Sequence, residues 1–195
     1  MIQKIAVINF KGAERTLLAT ALSCASGYQL VQDRNIYEWI RLYHIDEKQM
    51  DNWETQFLLM SSSFVKRIKS EFRNSSFVSN GAAFSEVLAL NEKVVGLKPE
   101  EIAILNSLLN VTGRHAARHY DLVVHVQNTG SAFFDELSIR FYEEHHIAYR
   151  LYDGSKKIKD VFENIIREVE MPMVRSAESA IYEAEQLVFY KNQKS

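Results

Sequence analysis

Five short segments rich in β-branched and aromatic residues recur along this chain: "QKIAVIN" at 3–9, "YQLVQ" at 28–32, "SFVSN" at 76–80, "DLVVHVQ" at 121–127 and "IAYRLY" at 147–152. A helical stretch separates each from the next, and this alternation constrains the fold strongly, because strands joined through helices lie parallel in one sheet. The first and fourth segments are nearly continuous apolar runs, the pattern of a strand covered by helices on both faces. We therefore expect an α/β fold with a five-stranded, open, parallel sheet and helices on both faces. Such sheets bind ligands beyond the carboxyl ends of their strands. That edge collects residues 9–16, Gln32 and Asp33, Asn80 and Gly81, and Gln127 to Gly130.

With only two prolines and seven glycines, breaks should be few and helices long. Pro99 and Pro172 are both read as helix starts, each followed by a helical pattern, and the second predicts a carboxyl-terminal helix over about 172–191. A length of 195 residues suits one domain, 1–195. The net charge of -2 gives no field that would gather nucleic acid or anionic lipid, so neither is expected as a partner. No apolar stretch approaches the roughly 20 residues needed to cross a bilayer. The single cysteine, Cys24, has no partner for an internal disulfide, and the apolar run near the amino terminus is too short for a secretory signal. A cytoplasmic setting is the expectation, with a homo-oligomer left open.

The first strand runs directly into "NFKGAERTLL" at 9–18. A strand, a polar turn with glycine and a helix that carries threonine near its start is the layout of a phosphate-binding loop, G-x-x-x-x-G-K-[ST]. Asn9, Phe10, Lys11, Gly12, Ala13, Glu14, Arg15 and Thr16 fill its eight positions; the threonine fits, and the two glycines and the lysine are replaced. In a working loop the second glycine lets backbone N–H groups close on the phosphates, and the lysine supplies a compact charge. Glu14 instead brings a carboxylate toward an anion site, and Arg15 offers a planar fork in place of a point charge. The candidate phosphate- and nucleotide-binding residues are Asn9, Lys11, Gly12, Ala13, Arg15 and Thr16. Thr16 is either a Mg²⁺ ligand through its hydroxyl or a first-turn residue capping the helix. Lys11 and Arg15 either hold an anion at the helix amino terminus, or Arg15 pairs with Glu14 or another acid in solvent. Gly12 is read as serving a turn that needs positive φ.

Taken in order, these pieces resemble the small P-loop NTPases of the nucleoside and nucleotide kinase type, most closely the AAA-like ATPases akin to the nicotinamide riboside kinase domain. "DRNIYEWIRLY" at 33–43 is similar to the acidic residue and E-Y-x-R-E segment after that family's second strand. "FVSNGAAFSEVLAL" at 77–90 is similar to its third-strand motif, "HYDLVVHVQN" at 119–128 to its Y-D-L strand, and 131–154 to its R-x-x-F…G-I-P-Y run. "FKGAERTLLATAL" and "YQLVQDRNIYEWI" are loosely similar to the altered loop and Y-D-R segment of cytidylate kinases. The resemblance implies a three-layer P-loop NTPase-like fold, ATP and Mg²⁺ as cofactors if the protein is active, and a nucleoside or nucleotide as its small-molecule partner. It also implies roles: Asp33 as the acid that accepts or orients the acceptor hydroxyl, Arg140 as a lid arginine on the transferred phosphate, and Asn80 at the substrate rim where the family carries aspartate. Because Glu14, Arg15 and Asn80 depart from the pattern, we expect a kinase-like protein with weakened or lost nucleotide binding. The alternative is an active small-molecule kinase that transfers the terminal phosphoryl group of ATP.

Each remaining candidate has an ordinary structural reading beside the chemical one. Asp33 is also a suitable N-cap for the helix that follows. Glu136 and Arg140 are spaced for an i,i+4 ion pair on an exposed face. "RHAARH" at 114–119 sets His115 and His119 four apart, but it lacks the glutamate of a zinc-protease motif and reads as a cationic helix end. Tyr37, Trp39 and Tyr43 either stack on a base or belong to the core.

Overall fold

The structure is a computed structural model that describes residues 1–8, 12–32, 36–50, 52–93, 97–127 and 132–192. In chain order the elements are β1 (Lys4–Ile8), α1 (Gly12–Ser26), β2 (Gln29–Val31), α2 (Ile36–Tyr43), a single 3-10 turn (Glu47–Gln49), α3 (Trp53–Arg73), β3 (Phe77–Asn80), α4 (Ala83–Lys93), α5 (Pro99–His119), β4 (Leu122–Gln127), α6 (Ala132–Glu144), β5 (Tyr149–Asp153), α7 (Ile158–Glu168) and α8 (Ala177–Asn192). The five strands form one sheet in the order β2-β3-β1-β4-β5, and every pairing is parallel. Each expected strand is present within a residue or two of its sequence bounds. Among the described residues no helix is long and apolar enough to cross a membrane.

The continuous apolar run of β1 has its cause in the two layers around it. Ile5 and Val7 join a core built with α1, α7 and α8, where Leu18, Leu22, Phe162, Ile165 and Ala180 are buried. Ala6 and Ile8 point the other way, into a core with Phe84 of α4, Ala116 of α5, and Phe141 and Tyr142 of α6. With side chains alternating across the pleat, both sets must be apolar, so period-2 alternation disappears. β4 behaves alike, with Val124 in the first core and Val123 in the second. A third, smaller cluster of Met60, Val87 and Leu105 ties α3, α4 and α5 together.

The two prolines part company. Pro99 is the first residue of α5, and the helix start is completed by the Lys98 N–H donating to Glu101 Oε2 at 2.8 Å. Pro172 does not open a helix; α8 begins at Ala177. The segment before it is held by other bonds, the Val174 N–H donating to the Ala25 carbonyl at 2.7 Å at the end of α1. Ser176 then caps α8: its hydroxyl accepts from the Ser179 N–H at 3.3 Å and its carbonyl from the Ala180 N–H at 3.0 Å.

Parallel pairing brings the carboxyl ends of the strands to one edge. Val7 is paired with Asn80 and Ile8 with His125, so the start of α1 stands beside the end of β3 and near the end of β4. The chain leaves β3 through Gly81, whose φ of +96° is open to glycine at little cost. A side chain there would also press on the Arg67 guanidinium, 3.3 Å from the position of an added Cβ.

Candidate functional site

Asn80 is the last residue of β3, and its amide spans the first turns of α1. The Arg15 Nε–H donates to Asn80 Oδ1 at 2.9 Å, and Asn80 Nδ2 donates to Thr16 Oγ1 at 3.1 Å. These contacts fix the amide orientation, since oxygen must face the guanidinium and nitrogen the hydroxyl. Three residues singled out from the sequence are thus brought together. The details differ from expectation in several ways. Arg15 is half-buried and bonded across to β3 instead of pairing with Glu14 in solvent, and Glu14 is exposed. Thr16 is the fifth residue of α1, a turn inside the helix, and its carbonyl accepts from the Thr20 hydroxyl; it is not the cap. Gly12 is the first helical residue and so does not take up positive φ.

Arg15 sits among charged neighbours at this edge. Burial lowers the Arg15 pKa first, Arg67 lowers it further by repulsion, and Glu86 opposes both. Arg67 also donates to Ser79 Oγ, which in turn donates to the buried Glu71, so the two guanidiniums stand near two carboxylates. The amino terminus of α1 adds the positive end of a helix dipole. Thr16 Oγ1, the candidate Mg²⁺ ligand, accepts from the neutral Asn80 amide; a hard divalent cation takes carboxylate, phosphate or water oxygens.

Beneath Asn80 lies a charged network that the sequence reading did not find. Arg67 of α3, 2 % exposed, reaches the end of β3 and donates to Ser79 Oγ (2.9 Å), the Asn80 carbonyl (3.2 Å) and the Gly81 carbonyl (2.8 Å), while pairing with Glu86 at 3.2 Å. Glu71, one turn on, accepts from Ser79 Oγ (3.1 Å), the Tyr120 hydroxyl (2.7 Å) and His115 Nε2 (2.8 Å). Burial, and then the Glu71 charge, raise the Tyr120 pKa well above its usual value, so the phenol stays a donor. His115 is thus committed to a buried carboxylate. The helix end is basic through Arg118 and His119, but His119 packs edge-on against Phe72 and its pKa is lowered by burial and then by His115, so the exposed positive charge there is that of the arginines. The one sequence signal for the network was an arginine and a glutamate four apart on α3; it reads equally as a surface pair.

A second buried polar cluster lies under β4. His125 Nδ1 meets the Tyr142 hydroxyl at 2.8 Å and Nε2 meets Asp135 at 2.9 Å. The carboxylate requires Nε2 to carry the proton, leaving Nδ1 to accept from tyrosine. The signal was present: a histidine inside the apolar run "LVVHV" needs buried partners.

Other predicted residues fall elsewhere. Asn9, Lys11 and Asp33 lie outside the described residues, and Gly12 and Ala13 contribute only their helical backbone to the description. Arg140 is exposed on α6, and the expected pair with Glu136 is not formed within 4 Å. Tyr43 is also exposed, its hydroxyl 2.7 Å from Ser62 Oγ, so it is not part of the core.

Comparison with solved structures gives this edge its context. The deoxyadenosine kinase from M. mycoides with bound dATP superposes with a TM-score of 0.64 at 13% identity, covering 85% of this chain and 98% of that one. The chain shares the fold of that structure, a five-stranded parallel sheet between helices. The same enzyme solved with the products dCMP and dCDP gives a TM-score of 0.60, and with dCTP 0.58, each at 13% identity and covering 85% of this chain and 97% of that one. No family model and no curated protein sequence matches the chain.

Proposed function

We propose that this chain is a nucleotide-recognising protein on the P-loop kinase fold in which the Mg-ATP phosphoryl-transfer machinery is weakened or lost. The observation that carries the reading is the Asn80 bridge. Its amide engages Arg15 and Thr16, the two side chains at the lysine and Ser/Thr positions of the loop pattern, and it supplies a neutral group where a carboxylate would help organise a metal. The bridge, with Arg15 held beside the amino terminus of α1, supports binding of an anionic phosphate ester without a metal. Nucleotides are the class in view because the deoxyadenosine kinase structures of this fold hold dATP, dCTP and dCMP.

Glu14, being exposed, is screened by solvent, so the weight of the argument moves to Arg15 and Asn80. The second reading, an active small-molecule kinase, draws on the placement of Thr16 at the strand edge. It assigns Asp33 to the acceptor hydroxyl and Arg140 to a lid over the phosphate.

Restoring the loop tests the proposal. The combined change Asn9→Gly, Glu14→Gly and Arg15→Lys should tighten Mg-ATP binding at least about tenfold, equivalent to about 1.4 kcal/mol. An unaltered affinity in a variant that keeps its helical spectrum would show that the loop departures are not what limits binding.

A further inference from the structure

β5 is an edge strand of the sheet, paired only with β4. The Val123 N–H donates to the Ala148 carbonyl at 2.8 Å, and this bond fixes which way each residue of β5 turns. Arg150 and Tyr152 direct their backbone groups toward β4, while Tyr149, Leu151 and Asp153 direct theirs outward. Among the described residues the bond these outward groups make is that from the Lys156 N–H to the Asp153 carbonyl, at 3.4 Å.

An open edge is a template for another strand, and proteins commonly guard it with an outward charge, a proline or a bulge. The centre of β5 has no such guard. Leu151 stands there 42% exposed, and the neighbouring charge, Arg150, is folded onto α7, where it donates to the Glu168 carbonyl at 2.7 Å. After Asp153 the chain turns in over the end of β4, with Gly154 so close to the Gln127 carbonyl that a side chain would collide with it. The exit from the strand therefore leaves the outer edge uncovered. The charges on either side of the strand are opposite in sign. Exposed acids precede it, Glu143 and Glu144 at the end of α6, and exposed bases follow it, Lys156 and Lys157 before α7.

We propose that the β5 edge pairs antiparallel with β5 of a second copy of this chain, giving one continuous sheet across a two-fold axis at Leu151. Such a contact is closed and self-complementary. Leu151 exchanges both backbone bonds with its counterpart, the Asp153 N–H of each copy reaches the Tyr149 carbonyl of the other, and the two leucine side chains cover each other on one face. The acids at the entrance of one strand lie beside the bases at the exit of the other. Parallel pairing would set acid on acid and could not close about a two-fold axis. A strand of five residues is about 17 Å long. With the turns at its ends the contact covers on the order of 500 Å² per copy, the low end for specific association, so self-association in the range of tens of micromolar is expected. The proposal stands apart from the reading of the nucleotide edge, since none of these residues is assigned to it.

Sedimentation velocity on the full chain at hundreds of micromolar should give a species of twice 22.6 kDa that dissociates on dilution to a few micromolar. Leu151→Pro removes only an outward donor, because the Leu151 N–H does not face β4, and should weaken association at least about tenfold. Leu151→Lys, which supplies an edge guard and leaves the backbone donors in place, should do the same with an unchanged far-UV circular dichroism spectrum. Glu143→Lys with Glu144→Lys should also weaken association, and adding Lys156→Glu with Lys157→Glu should restore it, because the antiparallel match is rebuilt with signs exchanged. Amide hydrogen exchange locates the contact: the Leu151 and Asp153 N–H groups should exchange more slowly in concentrated than in dilute protein. A chain that stays monomeric overturns the proposal, as does a dimer that survives Leu151→Lys, a full charge reversal that fails to restore association, or a dimer in which the Leu151 amide exchanges no more slowly.

Discussion

Glu71 shows how much a single buried carboxylate can organise. It takes three hydrogen bonds, from a strand hydroxyl, a phenol and an imidazole, and so joins β3, α3 and the end of α5. Glu71→Gln keeps the shape but turns an acceptor oxygen into an NH₂ group facing a donor, in a place water does not reach. The expected cost is about 2–4 kcal/mol, the range for breaking a buried charged network. Glu86→Gln, at a partly exposed site where the amide can still accept from Arg67, should cost about 1 kcal/mol or less. Urea unfolding of the two variants side by side checks this: equal midpoints would mean that burial does not set the importance of Glu71. Arg67 acts through the same ground, since its bonds to the Asn80 and Gly81 carbonyls hold the strand end from which the Asn80 amide reaches Arg15 and Thr16.

At the scale of elements, β4 and α6 are joined by the His125–Asp135–Tyr142 cluster, and this gives the protein a pH dependence. Burial lowers the His125 pKa below its ordinary 6.5, with the Asp135 bond and charge opposing, and His119 is lowered as well. A histidine that binds its proton less readily when folded contributes stability that is fully present above about pH 6.5. That contribution is lost as the pH falls below the unfolded value, until the folded pKa is passed. The melting temperature should therefore decline on acidification from pH 7 to pH 5, and His125→Gln should flatten part of that decline while lowering stability at pH 7. A profile as steep in the variant as in the wild type would remove His125 as the cause. These element-scale facts also mark what the sequence could convey. β1 and β4 were legible because burial on both faces leaves a distinctive apolar run, the other strands because of their β-branched and aromatic content, and Pro99 because proline at the first helical position is a local rule. Pro172 misled because the same residue also suits an extended segment, and what decides between them is the distant bond from Val174 to Ala25. Arg67, Glu71 and His125 were hidden for the same reason: their partners lie on other elements, and spacing along one helix does not tell a buried pair from a surface one.

For the whole molecule, a parallel sheet in the order β2-β3-β1-β4-β5 gathers strand ends at one edge, and the resemblance to the deoxyadenosine kinase structures is a resemblance of that framework. The framework was readable from alternation alone. The edge was readable in part: Arg15 and Thr16 were named from the loop pattern and Asn80 from the resemblance of the third-strand segment, and the three do meet, but the bond pattern that ties them together depends on the register of β1 with β3. On the proposed reading, that pattern suits an anion better than a metal-nucleotide complex. The most direct measurement is calorimetric titration of the unaltered chain with ATP, once with Mg²⁺ and once with the metal chelated. The account predicts a dissociation constant no tighter than about millimolar, corresponding to about -4 kcal/mol, with no strengthening by Mg²⁺. Micromolar binding that requires Mg²⁺ would contradict it and leave the active-kinase reading in its place.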